Sequence, residues 1–504
     1  MAAGFVLGSD VGSGGCKSLV VTHGGEVVAS SHGEYPTAYP SPGWSEQDPE
    51  DWYGAFCSSV KDVLQRSRVT PKQIAAVGIV GVTHNAVLVD PGGMPLHACI
   101  TFFDNRSTPQ AQAIADRWGA EIRERTCNDV EALWSWPQLQ WLRENRPELW
   151  ERAAHVLFAK DYVRNRLAPG IMTDPIDAAG SLLFDPSAGG WIRPFLDDLC
   201  LSEDRLPALA APTDVVAAVC ERGAQECGLQ AGTKVITGTT DTAAEVLGSA
   251  AVRPGDAVVK LASVGRIAVV HEGPVMTGRI LNYRHILAAL WYPGTASKHA
   301  ASAYRWLRGV LSPPGRPCSY EDMDREAGTA PAGCGGLLFH PHLMGEWAPY
   351  WDERMRASFV GLNVTHGRSH IIRSVMEGAA FGIRDALEQV QGHGMEPTSI
   401  RLIGRGASSM VWADTIADVL NRDLLIPAQT DAAYGAALLA AVGAGFLELG
   451  AGPVQSVVRF TRTVSPRPER SARLERQFQL YRESDLALRS VNARLGGLGT
   501  ERCG

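Results

Sequence analysis

Short apolar runs and longer amphipathic stretches alternate along most of this chain. Near its start, β-rich runs at 6–7 and 19–21 flank a glycine-dense turn, and a second glycine turn follows at 24–25. Residues 75–90, AAVGIVGVTHNAVLVD, predict another pair of strands around a break. Runs of this kind, bounded by turn residues, predict strands and hairpins. Their alternation with helical stretches indicates an α/β fold.

The layout of the first hairpin recurs in the middle of the chain. Residues 255–273, GDAVVKLASVGRIAVVHEG, again read as a strand, a small-residue turn and a strand. We interpret this recurrence as a diverged internal duplication in which each half opens with a hairpin. It places a boundary near 248–254 and predicts two domains, 1–250 and 251–504.

Three later stretches predict helices. Residues 434–450 are short, rich in alanine and glycine, and carry Glu448, so a buried helix is favoured over a membrane span. Residues 369–390 place apolar side chains on one face, at Ile372, Val375, Met376, Ala379 and Ile383. A C-terminal amphipathic helix over about 470–495 is predicted from helical spacing of Leu474, Phe478, Tyr481, Leu488, Val491 and Leu495.

The composition is that of a globular protein with substantial cores, with 45% hydrophobic and 20% charged residues among 504. A formal net charge of −7 argues against a broad nucleic-acid-binding surface, and no basic run suggests a membrane-binding patch. The ten cysteines include no C-x-x-C pair, so we expect reduced thiols and a cytoplasmic protein. The segment MAAGFVLGSD lacks a basic region, so no signal peptide is predicted.

One carboxylate stands among hydroxyls at a predicted strand-to-helix turn. In KVITGTTDTAAEVLG, residues 234–248, Asp241 lies between threonines and precedes an alanine-rich helical run. Aspartate is a favoured helix cap. It could equally be a base at the open end of a sheet, where α/β proteins place their chemistry. Both interpretations stay open on these residues alone.

Two glycine-rich turns could bind phosphate or nucleotide. DVGSGGCKS, residues 10–18, resembles a decayed P-loop, but Cys16 precedes Lys17 where glycine is required. Asp10 would be well placed to hold Mg²⁺. LIGRGASSM, residues 402–410, is a glycine turn before a helix and could hold a nucleotide. The alternatives are a plain hairpin turn and a tight strand–helix packing turn.

Other candidates lie after strands or in a long loop. His84 and the neighbours Asp104 and Arg106 could be ligands, or a structural histidine and an ion pair. Residues 336–378 combine glycine, proline, tryptophan and charged residues in an extended loop before a helix. Loops of that length in compact domains are usually functional or disordered, and the aromatic content argues against disorder.

These signals match one family in order and across nearly the whole chain. The sequence resembles the FGGY carbohydrate kinases, and the xylulokinases among them most closely. The resemblance implies two ribonuclease-H-like (actin-like ATPase) domains with an active-site cleft between them. The N-terminal domain would carry the sugar site and the base, and the C-terminal domain the nucleotide site. The similar segments are 43–53, 160–167 (KDYVRNRL), 177–185 (DAAGSLLFD), 339–362 and 404–420.

The resemblance implies a role for each candidate residue. Asp241 matches the catalytic base, and Asp10 matches the metal-site carboxylate. The sugar contacts would include Thr83, His84, Asp104, Arg106 and Thr242. The ATP-binding residues would be Ser13, Gly14 and Lys17 in the first phosphate loop, Ser263 and Gly265 in the second, and Gly404, Gly406, Ala407 and Ser408 in the adenosine-binding turn.

Four departures from the xylulokinase pattern bear mainly on the sugar side. The usual QMHG is VTHN, the usual WND is FFD, and the usual Asp-Asn pair is Asp241-Thr242. The second phosphate loop reads LASVG where LGTSG is expected. The reaction class is therefore fixed more firmly than the substrate.

The resemblance predicts an ATP-dependent kinase that uses Mg²⁺ and converts D-xylulose to D-xylulose 5-phosphate. Ribulose, erythritol and glycerol are alternative acceptors, and an actin-like ATPase without sugar kinase activity is the alternative from another class. The expected partners are a small sugar and ATP, without nucleic acid or membrane, and a homodimer is left open.

Overall fold

The structure is a computed structural model that describes residues 4–277 and 279–498. Its strands in chain order are β1 (Phe5–Val11), β2 (Gly15–Thr22), β3 (Val27–Glu34), β4 (Glu46–Gln47), β5 (Ile74–Gly81), β6 (Ala86–Val89), β7 (Cys99–Ile100), β8 (His155–Phe158), β9 (Met172–Thr173), β10 (Phe184–Asp185), β11 (Gly190–Trp191), β12 (Ala208–Leu209), β13 (Val215–Ala218), β14 (Lys234–Ile236), β15 (Asp256–Leu261), β16 (Gly265–Val269), β17 (Gly294–Ser297), β18 (Leu338–His340), β19 (Ser358–Val360), β20 (Ser399–Ile403), β21 (Leu424–Pro427) and β22 (Phe460–Val464).

The helices surround these strands. In chain order they are α1 (Pro49–Ser67), α2 (Thr108–Thr126), α3 (Ser135–Asn145), α4 (Pro147–Arg152), α5 (Ala159–Leu167), α6 (Pro175–Ala179), α7 (Arg193–Leu199), α8 (Glu221–Cys227), α9 (Asp241–Gly248), α10 (Ala301–Leu311), α11 (Tyr320–Thr329), α12 (Arg368–Gly392), α13 (Met410–Leu420), α14 (Ala432–Ala444), α15 (Ala451–Val457) and α16 (Pro468–Leu498).

Two six-stranded sheets share one strand order. The first runs β3-β2-β1-β5-β14-β13 and the second runs β17-β16-β15-β20-β21-β22. In each sheet the opening strand, β1 or β15, pairs antiparallel with the next strand and parallel with β5 or β20. The outermost strand, β13 or β22, runs antiparallel to its neighbour. This repeated order agrees with the duplication expected from the two hairpins and confirms the α/β class.

A helix from the second half of the chain packs on the first sheet. The α14 backbone crosses β1 and β5 at Gly8 and Gly78, where an added Cβ would lie 2.2 Å and 2.3 Å from α14 carbonyl oxygens. Helix α14 also packs against α9, because a Cβ on Gly435 would lie 2.0 Å from the carbonyl oxygen of Ala244. Glycine permits these close backbone approaches. One apolar core consequently includes residues of both halves.

The alanine-rich stretch at 434–450 contributes α14 and is buried along most of that helix, as the sequence predicts. Among residues 4–277 and 279–498, no helix is long and apolar enough to cross a membrane.

The C-terminal helix begins near the predicted position but buries a different face in its second half. Leu474, Phe478 and Tyr481 are fully buried, whereas Val491 and Leu495 are 43% and 55% exposed. The face instead continues through polar residues. Asp485 lies against His342, and Asn492 donates a hydrogen bond to the carbonyl of Arg356 at 3.2 Å. Polar partners on the loop after β18 explain why apolar spacing alone placed Val491 and Leu495 wrongly.

We expect Gly435→Ala to weaken the contact between α9 and α14, because its methyl group would meet the Ala244 carbonyl. The free energy of unfolding should fall by about 2 kcal/mol or more, as overpacking of a core contact does. Urea denaturation measures this. The matched control is Gly452→Ala in α15, where an added Cβ meets nothing within 4 Å, so stability should hold or rise by up to about 1 kcal/mol. Equal behaviour of the two variants would contradict this account of the contact.

Candidate active site

A cluster of charged side chains from both halves of the chain surrounds the end of β1. Asp10 lies near the end of this strand, and its Oδ1 is buried with no hydrogen-bond partner among the described residues. Burial raises the pKa of Asp10 well above its usual range, and the neighbouring carboxylates raise it further. The groups whose charges act on Asp10 are Asp241, Glu245, Lys260 and Asp431.

Asp241 is the first residue of α9 and not its cap. The cap is Thr240, whose side chain accepts a hydrogen bond from the Ala243 amide at 3.3 Å. The Asp241 carboxylate accepts two bonds on one oxygen, Oδ1, from the Thr242 amide at 2.7 Å and the Thr242 hydroxyl at 3.1 Å. Oδ2 makes no hydrogen bond with the described residues. The half-buried carboxylate is thus oriented by its neighbour, with one oxygen free to accept a proton.

The first phosphate loop is the turn between β1 and β2. Ser13 and Gly14 are exposed at its tip, and the Ser13 carbonyl accepts a hydrogen bond from the Gln47 side chain at 2.8 Å. Lys17 on β2 is the cross-strand partner of Asp10 and forms an ion pair with Asp431, which precedes α14. The predicted loop residues therefore lie beside Asp10.

The second phosphate loop joins β15 to β16. Ser263 is exposed, and its carbonyl accepts hydrogen bonds from the Ala300 and Ser302 amides at 3.1 Å and 3.2 Å, which anchors the loop to the start of α10. Gly265 begins β16 in a tight site, because an added Cβ would lie 3.2 Å from Ile383. The loop is therefore anchored by its contacts with α10 and α12.

The predicted adenosine-binding turn packs directly against the second phosphate loop. Gly404 has a φ of +87°, and a Cβ on Gly404 or Gly406 would lie 2.6 Å or 2.4 Å from atoms of Leu261. Ala407 is buried, and Ser408 is exposed with its hydroxyl bonded to the Arg405 carbonyl at 2.7 Å. Packing against Leu261 at the end of β15 thus accounts for both glycines and brings this turn beside the predicted second phosphate loop.

His84 bridges the two halves on the expected sugar side. Its Nδ1 lies 2.9 Å from the Gly180 carbonyl and its Nε2 lies 3.2 Å from the Tyr283 hydroxyl. Since a carbonyl can only accept, Nδ1 donates and Nε2 accepts from tyrosine. Burial lowers the pKa of His84 to about 4, so the ring is neutral near pH 7. The hydroxyl of Thr83 is buried without a hydrogen-bond partner among the described residues.

Asp104 and Arg106 pair with each other. The Arg106 guanidinium donates to both oxygens of Asp104, at 2.9 Å and 2.7 Å, and to Glu46 at 2.6 Å. It also stacks on Trp44, 3.7 Å from the ring centroid. Both side chains are almost fully buried. The charged groups of the pair are therefore hydrogen-bonded within the protein, and direct contact with a sugar stays a prediction.

Several residues of the cluster were missed by sequence reasoning. Lys260 on β15 forms an ion pair with Glu245 of α9 at 2.7 Å, so an ion pair links the two halves one helical turn from Asp241. Arg266 on β16 is the cross-strand partner of Lys260, and its guanidinium lies 5.0 Å and 5.6 Å from the rings of Tyr283 and Tyr292. The sequence did hold a signal for these two residues, because KLASVGR places a lysine and an arginine on either side of the turn. Charged residues are seldom found in buried strands, so their presence there indicates a function.

The long loop after β18 is ordered by a buried charge network. His342 lies 3.1 Å from Glu346 and 3.2 Å from Asp485 of α16. Glu346 also accepts from the Ser297 hydroxyl at 3.1 Å, at the end of β17 in the second sheet. The network ties this loop to the sheet that carries Lys260 and Arg266.

The residues at β1 fit a magnesium ion. Mg²⁺ is commonly held by one or two carboxylates together with waters and substrate phosphates. The unpartnered Oδ1 of Asp10 supplies one such ligand. Among the described residues no group of three or more His, Cys, Asp or Glu is arranged so that it could hold a metal ion by itself. The exposed loop residues Ser13, Gly14 and Ser263 fit a bound polyphosphate.

Two sequence profiles of one family match the chain. The profile of the FGGY family of carbohydrate kinases, N-terminal domain, matches residues 5–248, and that of the C-terminal domain matches residues 233–444. The chain belongs to the FGGY family of carbohydrate kinases. It is therefore a carbohydrate kinase, a phosphotransferase of an ATP-dependent family, as the resemblance implied.

Similarity to known relatives extends over nearly the full length of the chain. The xylulose kinase of Bacillus subtilis is 28% identical over 494 residues, which cover 97% of this chain and 98% of that protein. A crystal structure of a xyloylose kinase from Brucella ovis superposes with a TM-score of 0.85 and 30% identity, covering 97% of this chain and 100% of that one. A gluconate kinase from Lactobacillus acidophilus matches with a TM-score of 0.85 and 25% identity, covering 97% and 99%. The predicted two-domain actin-like architecture is thereby confirmed.

We expect the His342 network to make stability depend on pH above neutrality. Burial alone lowers the pKa of His342, but its ion pair with Asp485 and its hydrogen bond to Glu346 raise it to about 9. The resulting stabilisation, on the order of 3 kcal/mol, should be fully present below pH 6.5 and be lost as the pH rises through 9. Urea denaturation of the wild type and of His342→Gln between pH 6 and 9.5 measures this, and the loss should be absent in the variant.

The control for this measurement is His393→Gln, which removes an exposed histidine just after α12. This variant should keep the pH dependence of the wild type. A parallel loss of stability in wild type and His342→Gln would show that the buried network is not responsible.

Proposed function

We propose that this FGGY kinase transfers the γ-phosphoryl group of ATP to a ketopentose, with D-xylulose as acceptor and D-xylulose 5-phosphate as product. The observation that carries the proposal is the position of Asp241. Its carboxylate is held on one oxygen at the start of α9, within the group of charges that acts on Asp10. A base there can accept the proton of an acceptor hydroxyl.

The residues divide the work of phosphoryl transfer in this proposal. Asp241 accepts the proton of the attacking hydroxyl, and the first phosphate loop with Lys17 binds phosphate oxygens. Asp10 would hold Mg²⁺, which supplies charge neutralisation on the phosphates when bound. The turn at 404–408 would receive the adenosine. Closure of the halves around the substrates would exclude water from the reaction.

The choice of a ketopentose is supported by the relatives' names and limited by their sequence identity. Xylulose kinases are among the most similar proteins, but the same fold and similar identity recur in a gluconate kinase. His84 keeps the position expected of a sugar contact, whereas Thr83 and Thr242 replace the usual methionine and asparagine. Ribulose, erythritol and glycerol are the competing acceptors.

The finer organisation belongs to the same proposal. We assign sugar binding and the base to 1–250 and nucleotide binding to 251–504, although α14 of the second part packs on the first sheet. We place the enzyme in the cytoplasm, where its sugar and ATP would be found. The homodimer considered from the sequence stays a prediction.

The test is ADP release by the purified chain with Mg²⁺, ATP and a panel of D-xylulose, ribulose, erythritol, glycerol and gluconate. D-Xylulose should give the largest kcat/KM, and ³¹P NMR should place the phosphate on O5. If another member of the panel gave the largest stimulation of ADP release, that compound would replace D-xylulose as the proposed acceptor, and the assignment as a kinase would stand. Absence of sugar-stimulated ADP with every acceptor, together with ATP hydrolysis alone, would favour the actin-like ATPase.

Asp241→Ala tests the base. Turnover should fall by about 10³-fold or more, because a positioned general base contributes roughly 10²–10⁴, while ATP binding measured by calorimetry should persist. The matched control is Asp204→Ala, which removes an exposed aspartate after α7. Residual turnover within tenfold of wild type in Asp241→Ala would refute the assignment.

A further inference from the structure

Lys260 stands at the cleft end of the second hairpin, next to the phosphate loop. It is the cross-strand partner of Arg266, one pair away from the turn at 262–264. Directly paired residues on antiparallel strands project to the same face of a sheet. This face carries Val258 and Ala268, which belong to the core shared by the two halves of the chain. Lys260 therefore projects from the second sheet toward the first.

The charge balance of the cleft depends on this hairpin. Four carboxylates lie together there, and two nearby lysines are in ion pairs with them, Lys17 with Asp431 and Lys260 with Glu245. ATP brings further negative charge, which the carboxylates would repel unless cations turn to the phosphates. The first hairpin supplies only Lys17, whereas the second supplies both Lys260 and Arg266.

The Arg266 guanidinium lies 5.0 Å and 5.6 Å from the ring centroids of Tyr283 and Tyr292, which favours Lys260 as the cation on the phosphate side. Its ammonium reaches Glu245, one helical turn after Asp241 in α9. The Lys260 side chain is 26% exposed and that of Glu245 10% exposed. A lysine ammonium is a compact charge on a flexible four-carbon stem, so it can exchange a carboxylate for a nearby phosphate oxygen.

The neighbouring loop offers few side-chain donors of its own. Ala262 and Val264 carry no hydrogen-bonding side-chain group, which leaves the Ser263 hydroxyl as the only side-chain donor among residues 262–264. The pKa of Lys260 is raised, since the carboxylates of Glu245, Asp241 and Asp10 outweigh the lowering by burial. Lys260 is thus a permanent cation beside the base.

We propose that Lys260 is a catalytic residue of this kinase, which leaves Glu245 when ATP binds and contacts the phosphoryl group as it is transferred. The proposal rests on the proposed kinase activity but not on the identity of the sugar. In this arrangement Asp241 accepts the proton of the attacking hydroxyl, while the Lys260 ammonium stabilises the charge on the phosphoryl oxygens. Glu245 holds Lys260 in place before the nucleotide arrives.

The test compares nucleotides that differ in the γ-phosphate. Calorimetry with Mg²⁺ should show that Lys260→Met weakens binding of the non-hydrolysable analogue AMP-PNP by about tenfold, while ADP binding changes less than about twofold. With the acceptor that the panel identifies, kcat should fall by about 10²–10³, as for loss of one preorganised donor. Lys260→Arg should recover part of both losses. Lys234→Met, which removes an exposed lysine on β14, is the matched control.

A double variant separates catalysis from simple neutralisation of Glu245. If Lys260 only pairs with Glu245, then Glu245→Gln in the Lys260→Met background removes the unpaired charge and restores kcat. If Lys260 acts on the phosphoryl group, the double variant stays as slow as Lys260→Met. Restored kcat, or equal weakening of AMP-PNP and ADP, would overturn the proposal. Because nucleotide binding needs no sugar, this failure is distinguishable from failure of the proposed acceptor.

Discussion

The contact between α9 and α14 is the constraint on which the active site depends. Each helix begins beside an aspartate, Asp241 in α9 and Asp431 before α14, and both charges act on Asp10. The helices can approach only because Gly435 leaves room for the backbone of Ala244. Glycines in β1 and β5 likewise allow α14 to lie on the first sheet. The positions of the carboxylates are thus set by backbone packing, which is far stiffer than contacts between long side chains.

The two hairpins are equivalent in layout, but their opening strands carry opposite charges at the corresponding position, Asp10 in β1 and Lys260 in β15. In the first hairpin Asp10 pairs across the strands with Lys17, and in the second Lys260 pairs with Arg266, each pair one position from the end of the ladder. A carboxylate at this position can bind a metal ion, whereas a lysine ammonium can bind phosphate oxygens. The ion pairs to Asp431 and Glu245 both cross between the halves. The proposed nucleotide site therefore lies between two similar hairpins that carry different charged side chains.

Sequence patterns predicted the features that are local. The paired hairpins, the long helix α12 with its buried face at Ile372 and Met376, and the buried alanine-rich helix α14 follow from periodicity and turn chemistry. Features that depend on distant partners could not be read in this way. Val491 and Leu495 are exposed because His342 and Arg356 recruit polar residues of α16, and Lys260 gains significance only through Glu245 of another element. Family resemblance located the candidate site, because it carries such non-local information.

Thr242, which stands where xylulokinases usually have asparagine, contacts the proposed base Asp241 as well as the predicted sugar side. The hydroxyl of Thr242 donates to the same Asp241 oxygen that accepts the Thr242 amide, so this side chain orients the carboxylate. A hydroxyl that donates to Asp241 can accept a hydrogen bond from a sugar but cannot also donate one in the same geometry. Recognition of the acceptor then depends more on groups from the other side of the cleft. Tyr283 already bonds His84 across the halves, and Arg266 lies over its ring. We therefore expect acceptor specificity to depend on both halves of the chain and not on the motif around Asp241 alone.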